Sequence, residues 1–136
     1  MSRDSGQPFD VSSTYVHLGL GGVAFPVPDF KWTEEFLERY NRDTELDGQE
    51  GRLVVVSRID ADWTTWERHP AGDELVVLLS GRARLIQERE DGVLSVELGP
   101  RQAVINPRNV WHTADVIEPG DALFITPGVG TQNRGR

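Results

Sequence analysis

The sequence contains no cysteine among its 136 residues. A disulfide framework, a zinc finger, a thiolate nucleophile and an iron–sulfur cluster are therefore all excluded. A metal ion in this protein must be held by histidine, aspartate or glutamate, and there are only three histidines, His17, His69 and His112. Because histidine is so scarce, the residues around each one are informative.

Long apolar runs and basic charge are also scarce. No stretch approaches the roughly 18 apolar residues of a membrane helix, so membrane insertion is not expected. Residues 1–10 are polar and lack the basic and apolar regions of an export signal, which predicts a cytoplasmic location. Lysine and arginine number 14 against 22 acidic residues, giving a net charge of -8. This balance disfavours binding to a nucleic-acid backbone.

The length corresponds to one domain. Residues 1–14 are polar and predict a flexible arm, residues 15–127 form the domain, and residues 128–136 form a C-terminal tail. Tyr15–Leu18 is expected to form a short edge strand, and the glycines and prolines that follow predict a loop. One short helix is predicted over about 33–41, with Thr33 as its N-cap.

The rest of the domain is rich in short apolar segments bounded by turn residues. Strands at such regular spacing predict an all-β, antiparallel sandwich or barrel. The predicted strands are Leu53–Ile59, Leu75–Leu79, Ala83–Glu88, Val93–Leu98, Ala103–Ile105, Trp111–Ile117 and Ala122–Thr126.

Two of the histidines lie in this strand-rich part, next to turns. Glu67 and His69 are two residues apart, so their side chains share one face of an extended segment. A tight turn around Gly72 then brings Glu74 back on the adjacent strand, so the three side chains can converge. His112 follows a second turn, Asn106-Pro107-Arg108-Asn109, near the start of another strand.

These two stretches resemble the motifs of the cupin superfamily. The first motif is matched by His69, four residues, Glu74, six residues and Gly81, and the second by the spacing of Pro107, Asn109 and His112. The resemblance implies a double-stranded antiparallel β-helix, the jelly-roll barrel of the cupins. It also implies that His69, Glu74 and His112 bind a metal.

The chain departs from the family pattern where the first histidine of the motif should stand, because this position is Glu67. Glu67 is either a fourth metal ligand or a catalytic base that takes a proton from the substrate. Manganese, iron, nickel and zinc all suit the set. In the alternative, the metal has been lost and Glu67 pairs with Arg68, Arg108 or solvent. A turn glycine of the second motif is replaced by Asn109, which tolerates a positive φ.

The resemblance implies a divalent metal and a small polar molecule inside the barrel, and a metal-dependent enzyme of the oxygenase or isomerase type. The alternative is a metal-free barrel that binds or senses a small molecule. Exposed sheet edges predict a homodimer, with Tyr15–Leu18 as the pairing strand.

The remaining candidate residues receive smaller roles. His17 has no partner motif and is expected to be an ordinary strand histidine, while Trp63 and Trp111 are expected in the core. The tail either covers the barrel mouth, bringing Thr131 or Arg134 to the ligand, or is disordered.

Overall fold

The computed structural model describes residues 6–136, which form eleven strands in two antiparallel sheets. One α-helix, α1 (Glu34–Asp43), and two short 3-10 segments, Leu20–Gly22 and Glu45–Glu50, lie before the third strand. The strands are β1 Tyr15–Leu18, β2 Ala24–Val27, β3 Arg52–Ile59, β4 Thr65–Arg68, β5 Glu74–Leu78, β6 Arg82–Arg89, β7 Gly92–Leu98, β8 Ala103–Asn106, β9 Trp111–Glu118, β10 Gly120–Thr126 and β11 Gln132–Gly135.

The first sheet has the strand order β2-β1-β3-β10-β5-β8, and the second has β11-β4-β9-β6-β7. The prediction of a mainly β protein with antiparallel sheets is confirmed. Within residues 6–136, no strand of one sheet pairs with a strand of the other, so the predicted closed barrel does not form. Part of the space between the sheets is instead bordered by α1 and by residues 128–131, which are not strands.

The edge of the first sheet also differs from the prediction. Ala24–Val27, expected to be a loop, pairs with β1, so β1 lies between β2 and β3 and is not an edge strand. Gly21 and Gly22 have φ values of 74° and 72°, which reverse the chain between β1 and β2. Pro26 is tolerated because an edge strand leaves one row of N–H groups unpaired. β1 therefore cannot supply the edge predicted to pair with a second subunit.

Helix α1 begins as predicted and ends slightly later, at Asp43. The Thr33 hydroxyl accepts a hydrogen bond from the Phe36 amide at 3.2 Å, and two glutamates in the first turn interact favourably with the helix dipole. Leu37 and Tyr40 lie one helical turn apart and line the space between the sheets. The helix thus covers one side of the interior.

The interior is apolar at one end and polar at the other. Along β5 the buried residues run from Glu74 to Leu78, and along β9 they run from His112 to Ala114. The apolar end contains the main core cluster, formed by Leu78, Ala83, Leu85, Leu98, Ala114 and Ala122, with Trp63 packed against it. The apolar end therefore contains the main hydrophobic core, and the other end contains buried polar side chains.

The segment assigned to a C-terminal tail contains β11, which pairs with β4 at the edge of the second sheet. Arg136 anchors its end by donating to the carbonyl oxygen of Trp63 at 2.9 Å and by pairing with Asp115 at 2.5 Å. Residues 1–5 of the predicted arm lie outside the described residues. Across residues 6–136, no helix has both the length and the apolar character needed to cross a membrane.

Candidate metal centre

The second sheet carries a row of polar side chains on its inner face. Asn133 in β11 is paired with Glu67 in β4, Glu67 with His112 in β9, and His112 with Gln87 in β6. Directly paired residues of antiparallel strands point to the same face of a sheet. His69 follows Glu67 by two residues and also turns inward, where it is 2% exposed. The predicted convergence of Glu67 and His69 is therefore present.

The two turns of the motifs hold each other in place. The Asn109 amide donates to the His69 carbonyl oxygen at 3.1 Å, and Arg108 Nε donates to the Pro70 carbonyl oxygen at 2.6 Å. The Arg108 amide also donates to Asp73 Oδ1 at 2.7 Å. Asn109 has a φ of 65°, the left-handed conformation expected of it. These contacts fix the distance between the segments that carry His69 and His112.

Four side chains meet between the sheets, and we call Glu67, His69, Glu74 and His112 the His/Glu cluster. Glu74 of the first sheet lies with Oε2 3.2 Å from His69 Nε2 and with Oε1 3.3 Å from His112 Nε2. Glu67 Oε1 lies 3.5 Å from His69 Nε2. One ligand atom each from Glu67, His69 and His112 lies within 4.8 Å of the others, a spacing that could hold a metal ion.

Hydrogen bonds at the far side of each imidazole determine its tautomer. The Thr131 hydroxyl donates its only proton to the Gly128 carbonyl oxygen at 2.9 Å, so it accepts from His69 Nδ1, also at 2.9 Å. His112 Nδ1 lies 3.2 Å from the Val110 carbonyl oxygen, which only accepts. Both rings therefore carry a proton on Nδ1 and turn Nε2 towards the cluster. This is how proteins orient histidines that bind metals.

The two Nε2 atoms are the buried side-chain polar atoms of residues 6–136 that lack a hydrogen-bond partner. Each lies close to a Glu74 oxygen, at 3.2 Å for His69 and 3.3 Å for His112, without a hydrogen bond to it. In the neutral tautomer, a lone pair on nitrogen faces a carboxylate, which is repulsive unless a cation lies between them. A proton on Nε2, or a metal ion between the nitrogen and the carboxylate, would remove this repulsion.

The electrostatics of the cluster agree with this geometry. Burial raises the pKa of Glu74, but the two adjacent histidines outweigh it and hold the pKa well below its usual range. Burial lowers the pKa of His69, but Glu74 and then Glu67 outweigh that effect and raise it. Burial and the charge of Glu74 raise the pKa of Glu67. The cluster therefore attracts positive charge.

Glu74 is oriented by a chain of hydrogen bonds that sequence analysis did not find. Arg89 Nε donates to Gln87 Oε1 at 2.9 Å, and Gln87 Nε2 donates to Asn106 Oδ1 at 2.8 Å. Asn106 Nδ2 then donates to Glu74 Oε1 at 3.0 Å, while the Thr126 hydroxyl donates to Oε2 at 2.6 Å. Because arginine only donates, the oxygen of the Gln87 amide must face Arg89, and its nitrogen must face Asn106. The Asn106 amide is oriented in the same way, so its nitrogen donates to an acceptor oxygen of Glu74.

The cluster opens into a cavity of about 710 Å³, within the size range of small-molecule sites. Glu67, His69 and Glu74 line one part of it, and Trp63 and Phe124 provide apolar walls. Residues 128–131 also line the cavity. Glu67 is the most exposed member of the cluster, with 30% of its side chain accessible. A molecule in the cavity would meet Glu67 first.

Other candidate residues lie elsewhere. Arg68 stacks on Trp111 at 4.5 Å on the outer face of the second sheet, and Arg134 stacks on the same ring at 4.6 Å. The expected core position of Trp111 and the expected ligand contact of Arg134 are therefore wrong. Arg68 donates to Gln132 and Arg108 to a carbonyl, so neither pairs with Glu67. His17 lies outside the His/Glu cluster.

Thr131 provides a direct test of the tautomer assignment. In Thr131→Val the His69 Nδ1–H loses its acceptor, so we expect Ni²⁺ affinity to fall about 10–100-fold, as for other partners of metal-bound histidines. Isothermal titration calorimetry measures the change. Thr131→Ser keeps the hydroxyl and should bind Ni²⁺ like the parent protein, and equal affinities in all three proteins would contradict the assignment.

No protein-family model matches the sequence, and no curated protein is significantly similar to it. Solved structures do match the fold. DMSP lyase DddQ from Ruegeria pomeroyi superposes with a TM-score of 0.50 and 23% identity, over 61% of this chain and 42% of the lyase. The alignment thus spans less than half of the lyase.

Two further similar structures are described as cupins. A cupin-2 domain protein from Shewanella frigidimarina has a TM-score of 0.48 and 17% identity, over 56% of this chain and 70% of its own. A cupin superfamily protein from Desulfitobacterium hafniense has a TM-score of 0.47 and 19% identity, over 55% and 65%. With its two antiparallel sheets and both motif turns in place, the chain has the cupin fold.

Proposed function

We propose that the His/Glu cluster binds one divalent cation and that the cavity beside it takes a small polar molecule. In this proposal the space between the sheets serves as the interior of a jelly-roll barrel. The ligands are Nε2 of His69 and of His112 and the carboxylates of Glu74 and Glu67. Two neutral imidazoles and two carboxylates balance the charge of a divalent cation.

One observation carries the proposal. His69 and His112 are 2% and 1% exposed, their Nδ1 atoms are hydrogen-bonded on the outer side, and their Nε2 atoms face carboxylates without a hydrogen bond. Buried polar atoms are nearly always paired, so two unpaired nitrogens that converge on one point indicate a missing partner. A divalent cation satisfies both.

Nitrogen and carboxylate ligands of this kind suit manganese, iron, nickel or zinc. When bound, such a cation polarises an oxygen of the ligand or makes a bound water more acidic. Either effect is compatible with a metal-dependent oxygenase or isomerase. A metal-free barrel that binds a small molecule is the second candidate, in which protons on the histidines take the place of the cation.

Glu67 supports a second role within the same site. Its pKa is raised, its side chain is partly exposed, and it lines the cavity. A raised pKa makes a carboxylate a stronger base, so Glu67 suits a general base that faces the bound molecule. As a ligand, in contrast, Glu67 would hold the cation together with the histidines.

Elemental analysis of the untagged protein tests the proposal after reconstitution with Mn²⁺, Fe²⁺, Ni²⁺ or Zn²⁺. We expect about one metal ion per chain, and less than a tenth of that in His69→Ala and His112→Ala, because each variant loses a ligand. His17→Gln is the matched control, since His17 lies outside the cluster, and it should keep its metal. Absence of metal in the reconstituted parent protein would leave the metal-free barrel.

The strength of Ni²⁺ binding by Glu67→Gln separates the two roles of Glu67. If Glu67 is a ligand, Glu67→Gln weakens Ni²⁺ binding, because a neutral amide replaces a carboxylate. If it is only a base, the variant binds Ni²⁺ as tightly as the parent protein.

A further inference from the structure

A second chain of hydrogen bonds borders the same cavity through His17 and Tyr40 and has no part in the His/Glu cluster. His17 in β1 places Nε2 2.6 Å from Asp47 Oδ2 and Nδ1 2.5 Å from the Tyr40 hydroxyl of α1. Asp47 belongs to the 3-10 segment after the helix, and its Oδ1 accepts the Leu20 amide at 3.1 Å. Three separate elements thus bring a carboxylate, an imidazole and a phenol into line.

The direction of these hydrogen bonds follows from Asp47. The hydrogen bonds from His17 and from the Leu20 amide lower the pKa of Asp47, so its carboxylate is ionised and accepts a proton from His17 Nε2. Nδ1 then carries the lone pair, and the Tyr40 O–H donates to it. An acid that orients an imidazole, which in turn accepts a proton from a hydroxyl, is the arrangement that activates hydroxyl nucleophiles.

The surrounding backbone leaves room for the pair of Asp47 and His17. A Cβ at Gly51 would lie 3.1 Å from His17 Cε1, and a Cβ at Gly19 would lie 2.7 Å from Asp47 Oδ2. His17 is also 2% exposed and stacks on Phe25 at a centroid distance of 4.9 Å. These contacts hold the imidazole in one orientation.

The first sheet connects this group to the His/Glu cluster. His17 is paired with Leu53, Leu53 with Thr126, and Thr126 donates to Glu74 on the next strand. Three strand spacings of about 4.8 Å separate His17 from Glu74, a distance of roughly 14 Å. His17 and Tyr40 line the same cavity as Glu74. The cavity also reaches Trp32, which is 63% exposed, so it opens to solvent.

We propose that Asp47, His17 and Tyr40 form a proton relay that activates the Tyr40 hydroxyl towards a molecule in the cavity. In the relay step the phenolic oxygen takes a proton from the molecule while the phenolic proton passes to His17 Nδ1. The molecule becomes an anion, the imidazole becomes a cation stabilised by Asp47, and no electrons are exchanged. Suitable molecules carry a weakly acidic hydroxyl or a C–H bond beside a carbonyl group.

The relay goes beyond the proposed metal site and does not depend on it. It also differs from a purely structural role in what it predicts for Tyr40. Burial and the charge of Asp47 raise the pKa of Tyr40, so without help from His17 its hydroxyl would react more slowly than an ordinary tyrosine. With the relay, the phenolic proton of Tyr40 passes to His17 while the phenolic oxygen reacts. The two roles therefore predict opposite orders of reactivity.

Acetylation by p-nitrophenyl acetate tests the relay in the metal-free full chain. The Tyr40 oxygen attacks the acetyl carbonyl, its proton goes to His17, and p-nitrophenolate leaves. The chain has two tyrosines, and Tyr15 lines the same cavity wall, which makes it an internal reference. General-base help contributes about 10²–10⁴-fold, so we expect peptide mass spectrometry to show Tyr40 acetylated at least ~10-fold faster than Tyr15.

Variants separate the relay from a structural effect. His17→Gln and the nearly isosteric Asp47→Asn should each bring the rate at Tyr40 to that of Tyr15 or below, while the rate at Tyr15 stays unchanged. Thermal unfolding checks that both variants are folded, and Tyr40→Phe identifies the labelled peptide. Tyr40 reacting no faster than Tyr15 in the parent protein, or an unchanged rate ratio in folded Asp47→Asn, would overturn the proposal. Metal content is measured separately, so a failed metal site would not affect this result.

Discussion

Replacing Glu74 with alanine should destabilise the metal-free protein by about 3 kcal/mol, because removal of one partner from a buried charged group costs about 3–5 kcal/mol. The residue is 3% exposed, and its carboxylate accepts hydrogen bonds from Asn106 and Thr126, which the variant leaves without an acceptor. Ni²⁺ binding should weaken about 100-fold, since ~10–16 kcal/mol shared among four ligands is about 3 kcal/mol for each. Urea unfolding and calorimetry measure the two effects.

Two other variants make this result specific. Glu74→Gln keeps an oxygen for Asn106 but lacks the charge, so it should retain most of the stability and still lose Ni²⁺ affinity. Glu97→Gln alters an exposed carboxylate paired with Arg82 and Arg84, and it should change neither property, as expected of surface ion pairs. Tight Ni²⁺ binding by Glu74→Ala would show that Glu74 is not a ligand.

Stabilisation by Ni²⁺ should increase steeply between pH 5.5 and pH 8. The raised pKa of His69 contributes stability below its unfolded value of about 6.5, and this contribution is lost as the pH rises through the folded pKa. The lowered pKa of Glu74 contributes stability above about 4.3, and this is lost on acidification. The metal-free cluster is therefore best stabilised between these values, where protons and Ni²⁺ compete for it.

As the pH rises through the raised pKa of His69, this imidazole loses its proton, and a cation then relieves the repulsion between its Nε2 lone pair and Glu74. At a concentration of 1,000 times Kd, Ni²⁺ adds about 4 kcal/mol, which raises Tm by roughly 10–20 °C in a domain of this size. Differential scanning calorimetry with and without Ni²⁺ gives the shift at each pH. The double variant His69→Ala/His112→Ala should show no shift, and a larger shift at pH 5.5 than at pH 8 in the parent protein would contradict the mechanism.

The convergence of Glu67, His69, Glu74 and His112 was predictable because it depends on local signals. A two-residue spacing, a proline after His69 and a tight turn determine where three of these side chains point, and a second turn positions His112. The residues that orient them were not predictable. Gln87, for example, reaches Asn106 only through the register of two strand pairings that no short segment encodes.

The strands and the helix likewise divide into those that local sequence signals predict and those that they do not. Apolar alternation and turn residues predicted the central strands, and Thr33 predicted the start of α1. Strands β2, β4 and β11 were not among the predicted strands. β2 and β11 are rich in residues typical of loops, and each pairs with only one other strand. His17 was taken for an ordinary strand histidine because Tyr40 and Asp47 lie 23 and 30 residues away.

The row from His17 through Leu53 and Thr126 to Glu74 lies in a part of the protein that should move less than the segments that cover it. These residues belong to hydrogen-bonded strands, the part of a domain that opens least often. The parts that face them, α1 with Tyr40 and the segment 128–131 with Thr131, lie outside the central strands. We therefore expect any opening of the cavity to involve these covering segments rather than the strands beneath them. Such an opening would separate Tyr40 from His17 or Thr131 from His69, so it would change the hydrogen bonding of a histidine at the same time.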